Sequence, residues 1–296
     1  KQACAACGQA ILMNDFKKAF EKRNLKVAQI LLTYSDTEDR RKSLNSRETI
    51  FELIKYNIIP VVNENDSVAI DELKFGDNDR LAARVSQIID ADTLILLSDV
   101  DGLFTSNPKN NKNAKLIKHV SKIDKKIYNM ASLETNFYGT GGMYTKIEAA
   151  EIAASSGCDT LIFRGNRDKP VREYLKKQKG TRFISKVNKD KGFKKWLAGT
   201  IKVEGEIFLD KGATLAIFNG SSVLPSGIQK ISGKFYKGDI LVIKNDKGKK
   251  IGKGVTYYDS VELMKILGKK SAEIKKSLGY DGRNEIIHRD YLTLNE

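Results

Sequence analysis

Two sequence patterns alternate through the first 187 residues, and this alternation constrains the fold more than any other feature. Stretches with helical periodicity cover residues 2–20, 47–56, 79–89, 145–155 and 170–177. Between them lie short apolar runs at residues 27–32, 58–62, 93–97 and 160–163. Runs that are apolar on both sides are typical of buried parallel strands, whose sheet is covered by helices. The alternation therefore predicts an α/β domain with an open, mostly parallel sheet and helices on both faces.

A different pattern begins near residue 196, where short alternating strands are separated by glycine-containing turns. Ten of the 23 glycines lie between Gly199 and Gly254. Turn residues stand at 224–227 and 245–248, and a helical segment follows at 260–278. These features are typical of a small, mainly β domain. We therefore predict an α/β domain at residues 1–187, a linker at 188–197 and a mainly β domain with a C-terminal helical segment at 198–296.

The formal net charge of +15 is compatible with nucleic-acid binding, so its distribution matters. Residues 1–187 carry a net charge of +7 and residues 188–296 a net charge of +8, which makes the C-terminal part denser in positive charge. Much of the excess is lysine scattered through asparagine- and isoleucine-rich sequence. Scattered lysine is also what a solvated surface carries. We interpret the charge as solvated surface and keep RNA binding as an alternative.

The cysteines and histidines show no metal-binding pattern. Cys4 and Cys7 are three positions apart on a predicted helix without a second pair, so we expect them to be small buried residues of one helix face. Cys158, before an apolar run, is interpreted in the same way, and His119 and His288 have no partners at ligand spacing. No metal site is predicted from these residues.

Hydropathy gives no sign of a membrane or export segment. No run of about 18 uncharged apolar residues occurs, and the first residues lack a basic start followed by a long apolar stretch. A soluble cytoplasmic protein is the simplest prediction.

A glycine-rich loop at residues 139–146 leads directly into a predicted helix. Glycines let backbone N–H groups approach a phosphate, and the helix N-terminus adds partial positive charge. Lys146 would lie in the first helical turn, where a cation is mildly unfavourable and therefore needs a reason. The loop is neither a Walker A sequence nor a dinucleotide-binding fingerprint, and a glycine-rich surface loop is the alternative.

Acidic residues gather around the start of the helix at 79–89 and after two predicted strands. Asp and Asn are ordinary helix caps, so Asp79 and its neighbours have a structural explanation. The acids nevertheless exceed what capping needs: Asp66, Asp77, Asp79, Asp99 and Asp101. Ligands bind beyond the carboxyl ends of strands in open α/β sheets, so residues 63–66 and 98–102 are predicted to border one crevice. Carboxylates and lysines in such a crevice are the groups that phosphoryl transfer uses.

These segments, in order and spacing, resemble the motifs of the glutamate 5-kinases, which belong to the amino-acid kinase superfamily. The segments are Asn63-Glu64-Asn65-Asp66, Phe75-Gly76-Asp77-Asn78-Asp79, Ser98-Asp99-Val100-Asp101-Gly102-Leu103-Phe104 and the loop 139–146. Near the C-terminus, residues 224–228, 233–235 and 238–239 resemble the PUA domain of that family. The resemblance implies an amino-acid kinase fold followed by a PUA-like domain.

The resemblance also implies roles by position. Asp66 and Asn78 would bind glutamate with Asp77 close by, and Asp79 and Lys146 would be catalytic. Lys74 matches a family lysine near the substrate loop. The implied ATP-binding residues are Ser98, Asp99, Thr140, Gly141, Gly142, Met143, Tyr144, Thr145 and Lys146.

The implied reaction is attack of the glutamate side-chain carboxylate on the γ-phosphorus of ATP, with Mg²⁺ present, as the first step of proline biosynthesis. A carboxylate is already ionised at neutral pH, so neutralisation of charge rather than a general base would carry the catalysis. The resemblance further implies inhibition by proline and a homo-oligomer. Family members begin with a strand and a Lys-Leu-Gly-Thr-like turn that this sequence lacks. We therefore expect the 296-residue chain to lack the first strand–helix unit and to be inactive alone.

Two alternatives remain at this point. An aspartate or acetylglutamate kinase would share the fold and the phosphate chemistry, although the 63–66 and 76–79 segments favour glutamate. RNA binding through the basic PUA-like domain belongs to a different functional class, and its affinity would fall steeply with salt.

Overall fold

A computed structural model describes residues 2–68, 78–108, 110–131, 142–187 and 203–294. The chain divides into two compact units, Lys1–Lys189 and Asp190–Glu296. The helices of the first unit are α1 (Gln2–Glu21), α2 (Tyr34–Glu38), α3 (Arg40–Lys55), α4 (Asn78–Ile88), α5 (Lys125–Ala131), α6 (Met143–Ser155) and α7 (Pro170–Lys177). Its strands are β1 (Lys26–Leu32), β2 (Ile58–Glu64), β3 (Thr93–Ser98), β4 (His119–Val120), β5 (Asp159–Arg164) and β6 (Thr181–Phe183).

The described strands of the first unit form two sheets. Strands β1 and β2 pair in parallel, and the other sheet has the order β3-β5-β6-β4. In that sheet β3 is parallel to β5 and β4 is parallel to β6, whereas β5 and β6 are antiparallel. The predicted α/β class with mostly parallel pairing is confirmed. The single predicted sheet is found, within the described residues, as one sheet of two strands and one of four.

The core of the first unit lies where α4 and α6 pack over the larger sheet. Fully buried small residues of α6, Ala149, Ala150 and Ala153, let the neighbouring elements approach closely. Ile147 of the same helix and Ile162 of β5 fill the space between helix and strand. Because α6 begins within the glycine-rich segment 139–146, this packing fixes the position of that helix N-terminus.

In its described residues, the second unit has a mixed five-stranded sheet and three short α-helices. Its strands are β7 (Gly205–Leu209), β8 (Ile228–Ser232), β9 (Ile240–Lys244), β10 (Lys250–Val255) and β11 (Leu292–Leu294), in the order β11-β10-β9-β7-β8. Its helices are α8 (Lys211–Phe218), α9 (Ser260–Ile266) and α10 (Ile274–Leu278). Only β7 and β9 pair in parallel among the described pairs. The mainly β prediction is confirmed.

Three local predictions are corrected. Cys4 and Cys7 are exposed rather than buried, since α1 has no buried residue among those described, while Cys158 is buried as expected. The helix predicted at 47–56 begins seven residues earlier, at Arg40, because Asp39 caps it by accepting a hydrogen bond from Lys42 N–H at 2.9 Å. The predicted helical segment 260–278 is interrupted at Gly268, whose positive φ of 73° does not fit a helix.

No helix within the described ranges combines the length and the apolar character that a membrane span requires.

Candidate active site

The N-termini of α4 and α6 meet at an ion pair between Asp79 and Lys146. Lys146 Nζ lies 2.8 Å from Asp79 Oδ2, and the two side chains are only 13% and 15% exposed. Thr145 Oγ1 lies 3.3 Å from the same Asp79 oxygen and donates to Gly142 O at 2.9 Å. The structure thus brings together the two residues that the sequence predicted as catalytic, 67 positions apart in the chain.

The electrostatics of the two helix ends explain this pairing. Asp79, the second residue of α4, interacts favourably with the positive end of the helix dipole. Lys146 is in the first turn of α6, where its charge opposes the dipole, and the Asp79 carboxylate offsets that cost. A buried cation held by one carboxylate keeps ammonium protons for a further acceptor, since a lysine has three.

The first turn of α6 also presents backbone donors. Gly142 is the N-cap with an extended backbone (φ −112°, ψ −171°), and no side chain among the described residues caps it. N–H groups at the start of a helix lack intrahelical partners and favour an anion. Lys146 and this helix end therefore provide positive charge at one place.

Two further contacts between α4 and α6 hold the pair in position. Arg80 forms an ion pair with Glu148, with Nε at 3.1 Å from Oε2. Near the other end of the helices, Gln87 Nε2 donates to Ile152 O at 3.0 Å and to Ser155 Oγ at 2.8 Å. The relative position of the two helices is thus fixed along their lengths, which limits how Lys146 can move.

The segment 98–103, which we call the β3 turn, follows the carboxyl end of β3. Ser98 is buried, Asp99 is exposed, and Ser98 Oγ donates to Asp99 Oδ1 at 3.2 Å. Val100 of this turn and Met143 at the start of α6 line the same small cleft. The predicted ATP-binding residues after β3 and those of α6 therefore lie on neighbouring surfaces.

No role was predicted from the sequence for the basic residues that hold the β3 turn. Asp101 is contacted by Arg164 Nε at 3.1 Å, Arg167 at 3.0 Å and Lys179 Nζ at 2.9 Å. Burial acts to raise the pKa of the Asp101 carboxyl, but hydrogen bonds and charges from Lys179 and Arg164 outweigh it, so the pKa lies below 3.8. In the sequence, Arg164, Arg167 and Lys179 are visible only as basic residues next to predicted elements. Their contact with Asp101 could not be predicted without the pairing of β5 with β3.

Two of the three predicted glutamate-binding residues, Asp66 and Asn78, lie in the described part of the chain. Asp66 is half-buried just beyond the carboxyl end of β2. Asn78, the first residue of α4, lines a groove of about 410 Å³ together with Val62 of β2 and Thr93 of β3. Asp77, Lys74, Thr140 and Gly141 lie outside the described residues.

In the described ranges of the chain, a metal site built from protein side chains would need several oxygen, nitrogen or sulfur ligands close together. Within those ranges, no group of three or more His, Cys, Asp or Glu side chains could hold a metal ion. The carboxylate closest to the predicted chemistry, Asp79, is paired with Lys146.

Comparison with known proteins assigns a class to this fold and site. Residues 1–164 match the amino acid kinase family, and residues 205–278 match the PUA domain. The first match covers more than half of the chain, so the chain belongs to the amino acid kinase family and carries a PUA domain after the kinase domain.

Individual relatives narrow the class. The chain is 47% identical to the glutamate 5-kinase of Pelagibacter ubique (strain HTCC1062) over 98% of this chain and 78% of that protein. It is 44% identical to the glutamate 5-kinase of Carboxydothermus hydrogenoformans (strain ATCC BAA-161 / DSM 6008 / Z-2901) over 99% of this chain and 79% of that protein. Within its family, the chain is a member of the glutamate 5-kinases.

Among solved structures, an isopentenyl phosphate kinase is similar over 59% of this chain and 66% of its own, with 20% identity and a TM-score of 0.42. A likeness at this level adds nothing about the function.

Proposed function

We propose that this protein transfers the γ-phosphoryl group of ATP to the side-chain carboxylate of L-glutamate, as the first step of proline biosynthesis. The observation that carries the proposal is the Asp79–Lys146 pair at the meeting point of two helix N-termini. The similarity to proteins named glutamate 5-kinase supports the choice of glutamate as acceptor.

In the proposed reaction, a glutamate carboxylate oxygen forms a bond to the γ-phosphorus of ATP. The bond from that phosphorus to the bridging oxygen breaks, and ADP leaves with its electron pair. The products are glutamyl 5-phosphate and ADP. Negative charge accumulates on the phosphoryl oxygens, so fixed positive charge stabilises the transition state.

The roles proposed for individual residues come from the family resemblance, and the Asp79–Lys146 contact supports two of them. Lys146 interacts with the transferring phosphoryl group, and Asp79 holds its ammonium in position. Backbone N–H groups at the start of α6 contact the phosphates, while Ser98 and Asp99 contact the nucleotide from the β3 turn. Asp66 and Asn78 bind glutamate. Asp77, Thr140 and Gly141 are assigned by the resemblance alone.

Mg²⁺ would enter this site as part of the MgATP substrate. Magnesium usually keeps several waters and is often held by substrate phosphates with one or two carboxylates, which is compatible with the donors that are described. When bound, it would neutralise charge on the phosphate oxygens.

Trapping with hydroxylamine tests the proposal directly. An acyl phosphate reacts with hydroxylamine to give a hydroxamate, so the full-length protein with MgATP should form glutamyl hydroxamate. Aspartate and acetylglutamate serve as competing acceptors. Equal or faster turnover with either would contradict the choice of glutamate, and a near-normal rate in Lys146→Ala would contradict the role proposed for that lysine.

Three further proposals rest on the family resemblance. Proline would inhibit at or near the glutamate site, the protein would form a homo-oligomer, and RNA binding through the PUA domain is kept as an alternative with which the net charge of +15 is compatible. RNA affinity of the C-terminal unit that falls steeply between about 50 and 200 mM salt would support that alternative.

A further inference from the structure

Most of the side-chain contacts that hold the β3 turn come from residues 164–181, which we call the β5–β6 segment, while Ile117 N–H also donates to Leu103 O at 2.8 Å. The Ser98 carbonyl accepts a hydrogen bond from Gly165 N–H at 2.7 Å. At the other end of the turn, Leu103 N–H donates to Thr181 Oγ1 at 2.8 Å, and that hydroxyl donates to Ile117 O at 2.7 Å. Both ends of the turn are thus attached to the same segment.

Asp101 lies between the two ends of the turn and contacts the same β5–β6 segment. Its carboxylate is 13% exposed and lies within 3.1 Å of Arg164, Arg167 and Lys179, whose side chains are 32%, 35% and 49% exposed. Three long cationic side chains on the protein surface would otherwise sample many rotamers. One buried carboxylate therefore orders three parts of the β5–β6 segment around the turn.

Geometry at Gly102 makes this arrangement intolerant of displacement. A Cβ at this position would lie 2.5 Å from Thr181 Oγ1, and the φ of 147° is one that other residues rarely adopt. The turn therefore lies directly against the first residue of β6. Loss of the Asp101 contacts should therefore change the positions of Ser98, three residues earlier, and Asp99, two residues earlier.

We propose that Asp101 is a positioning residue for the nucleotide, which fixes the β3 turn through Arg164, Arg167 and Lys179 so that Ser98 and Asp99 face bound ATP. The inference rests on the proposed function, because it assumes that Ser98 and Asp99 contact ATP. A turn without these contacts would have to be ordered when ATP binds, which weakens binding.

Asp159 offers a matched control for Asp101, because it lies on β5, the strand that also carries Arg164. It is 16% exposed, and its carboxylate accepts from Arg182 Nε at 3.0 Å and from Ser185 N–H at 2.8 Å. It lies at the amino end of β5, whereas Arg164, the partner of Asp101, lies at the carboxyl end. Asp159→Asn therefore removes a comparable buried charge contact away from the β3 turn.

The experiment compares Asp101→Asn, Asp101→Glu and Asp159→Asn in the full-length protein. Both asparagine variants should lower the melting temperature. Only Asp101→Asn should raise the KM for ATP, by roughly tenfold, because it loses charge-assisted hydrogen bonds. The KM for glutamate should stay within about twofold of the parent value, and Asp101→Glu, which keeps the carboxylate, should recover part of the ATP affinity.

Asp99→Ala separates this inference from the proposed function. If it raises the KM for ATP while Asp101→Asn does not, the positioning role is wrong and the nucleotide assignment stands. If Asp99→Ala itself leaves the KM for ATP unchanged, the nucleotide assignment fails and the inference fails with it. Equal increases in Asp101→Asn and Asp159→Asn would show a general loss of structure, which also overturns the inference.

Should Asp101→Asn fail to fold, Lys179→Met is measured in the same way. It removes one of the three cations from a half-exposed position. We expect a rise of about threefold in the KM for ATP without a matching loss of stability, and an unchanged value would overturn the proposal.

Discussion

Arg80 and Glu148 form a second ion pair between the two helices that carry Asp79 and Lys146. Each member lies one or two positions further along its helix than the proposed catalytic residue, and Arg80 Nε is 3.1 Å from Glu148 Oε2. The same helix contact therefore holds one charge pair proposed to act on substrate and one that only joins α4 to α6. Comparison of the two pairs separates chemistry from helix packing.

Lys146→Ala should lower kcat by roughly a hundredfold, because a preorganised charge at the developing phosphoryl charge contributes about 3 kcal/mol. Glu148→Gln is the matched control: it should reduce the melting temperature and leave kcat within about threefold. Steady-state kinetics with saturating glutamate and ATP measure both. A near-normal kcat for Lys146→Ala would favour the surface-loop interpretation of residues 139–146.

Asp66→Ala should mainly raise the KM for glutamate, by about tenfold or more, since the loss of a partner for a charged substrate costs about 1.5–3 kcal/mol. Ser67→Ala, at an exposed neighbouring position, is the control and should change neither constant. The KM for ATP should be unaffected in both variants. If Asp66→Ala raised the KM for ATP rather than the KM for glutamate, the assignment of Asp66 to the glutamate site would be wrong.

Two glycine-to-alanine substitutions in the first unit should change stability in opposite directions. At Gly102 the added Cβ meets Thr181 Oγ1 at 2.5 Å and the φ is 147°, so we expect a loss of about 2–3 kcal/mol. Gly8 is inside α1 with nothing within 4 Å of the added Cβ, so alanine there should stabilise by about 0.5–1 kcal/mol. Urea denaturation measures both, and equal signs would contradict the described geometry.

The contribution of Asp101 to stability should disappear in acid. Burial raises the pKa of this carboxyl, but Lys179 and Arg164 lower it more, to below its value of 3.8 in the unfolded chain. A lowered folded-state pKa gives stability that is present above pH 3.8 and lost as the pH falls through the folded-state value. The difference in unfolding free energy between the parent and Asp101→Asn should therefore stay constant well above pH 3.8 and shrink as the pH falls below that value. A difference that does not vary with pH would contradict the ion cluster.

Continuous apolar runs made the main strands of the first unit predictable. Strands β1, β2, β3 and β5 were all predicted within two residues at each end, because apolar residues on both faces leave an uninterrupted signal, although β3 exposes alternate residues. Strand β6 has three residues with Arg182 in the middle, and β4 has two, so neither produces a period. They exist because the neighbouring strand supplies their hydrogen bonds, which a local pattern cannot report.

The two proposed catalytic residues were predictable from the sequence, but the contacts that hold the β3 turn were not. Asp79 and Lys146 stand in local motifs, and their chemistry suggested a role before their 2.8 Å contact was known. Asp101 stands in such a motif too, yet its partners Arg164 and Lys179 are more than 60 residues away and look like ordinary surface cations. Their meaning depends on the β3–β5 pairing and on the antiparallel return of β6.

That antiparallel return also decides where the chain leaves the first unit. Because β6 runs against β5, Thr181 lies beside the β3 turn while Phe183 lies beside Thr160, near the opposite end of β5. Ser185 then donates to Asp159 at that far end. A chain cut after Ser185 would therefore keep every contact described at the β3 turn.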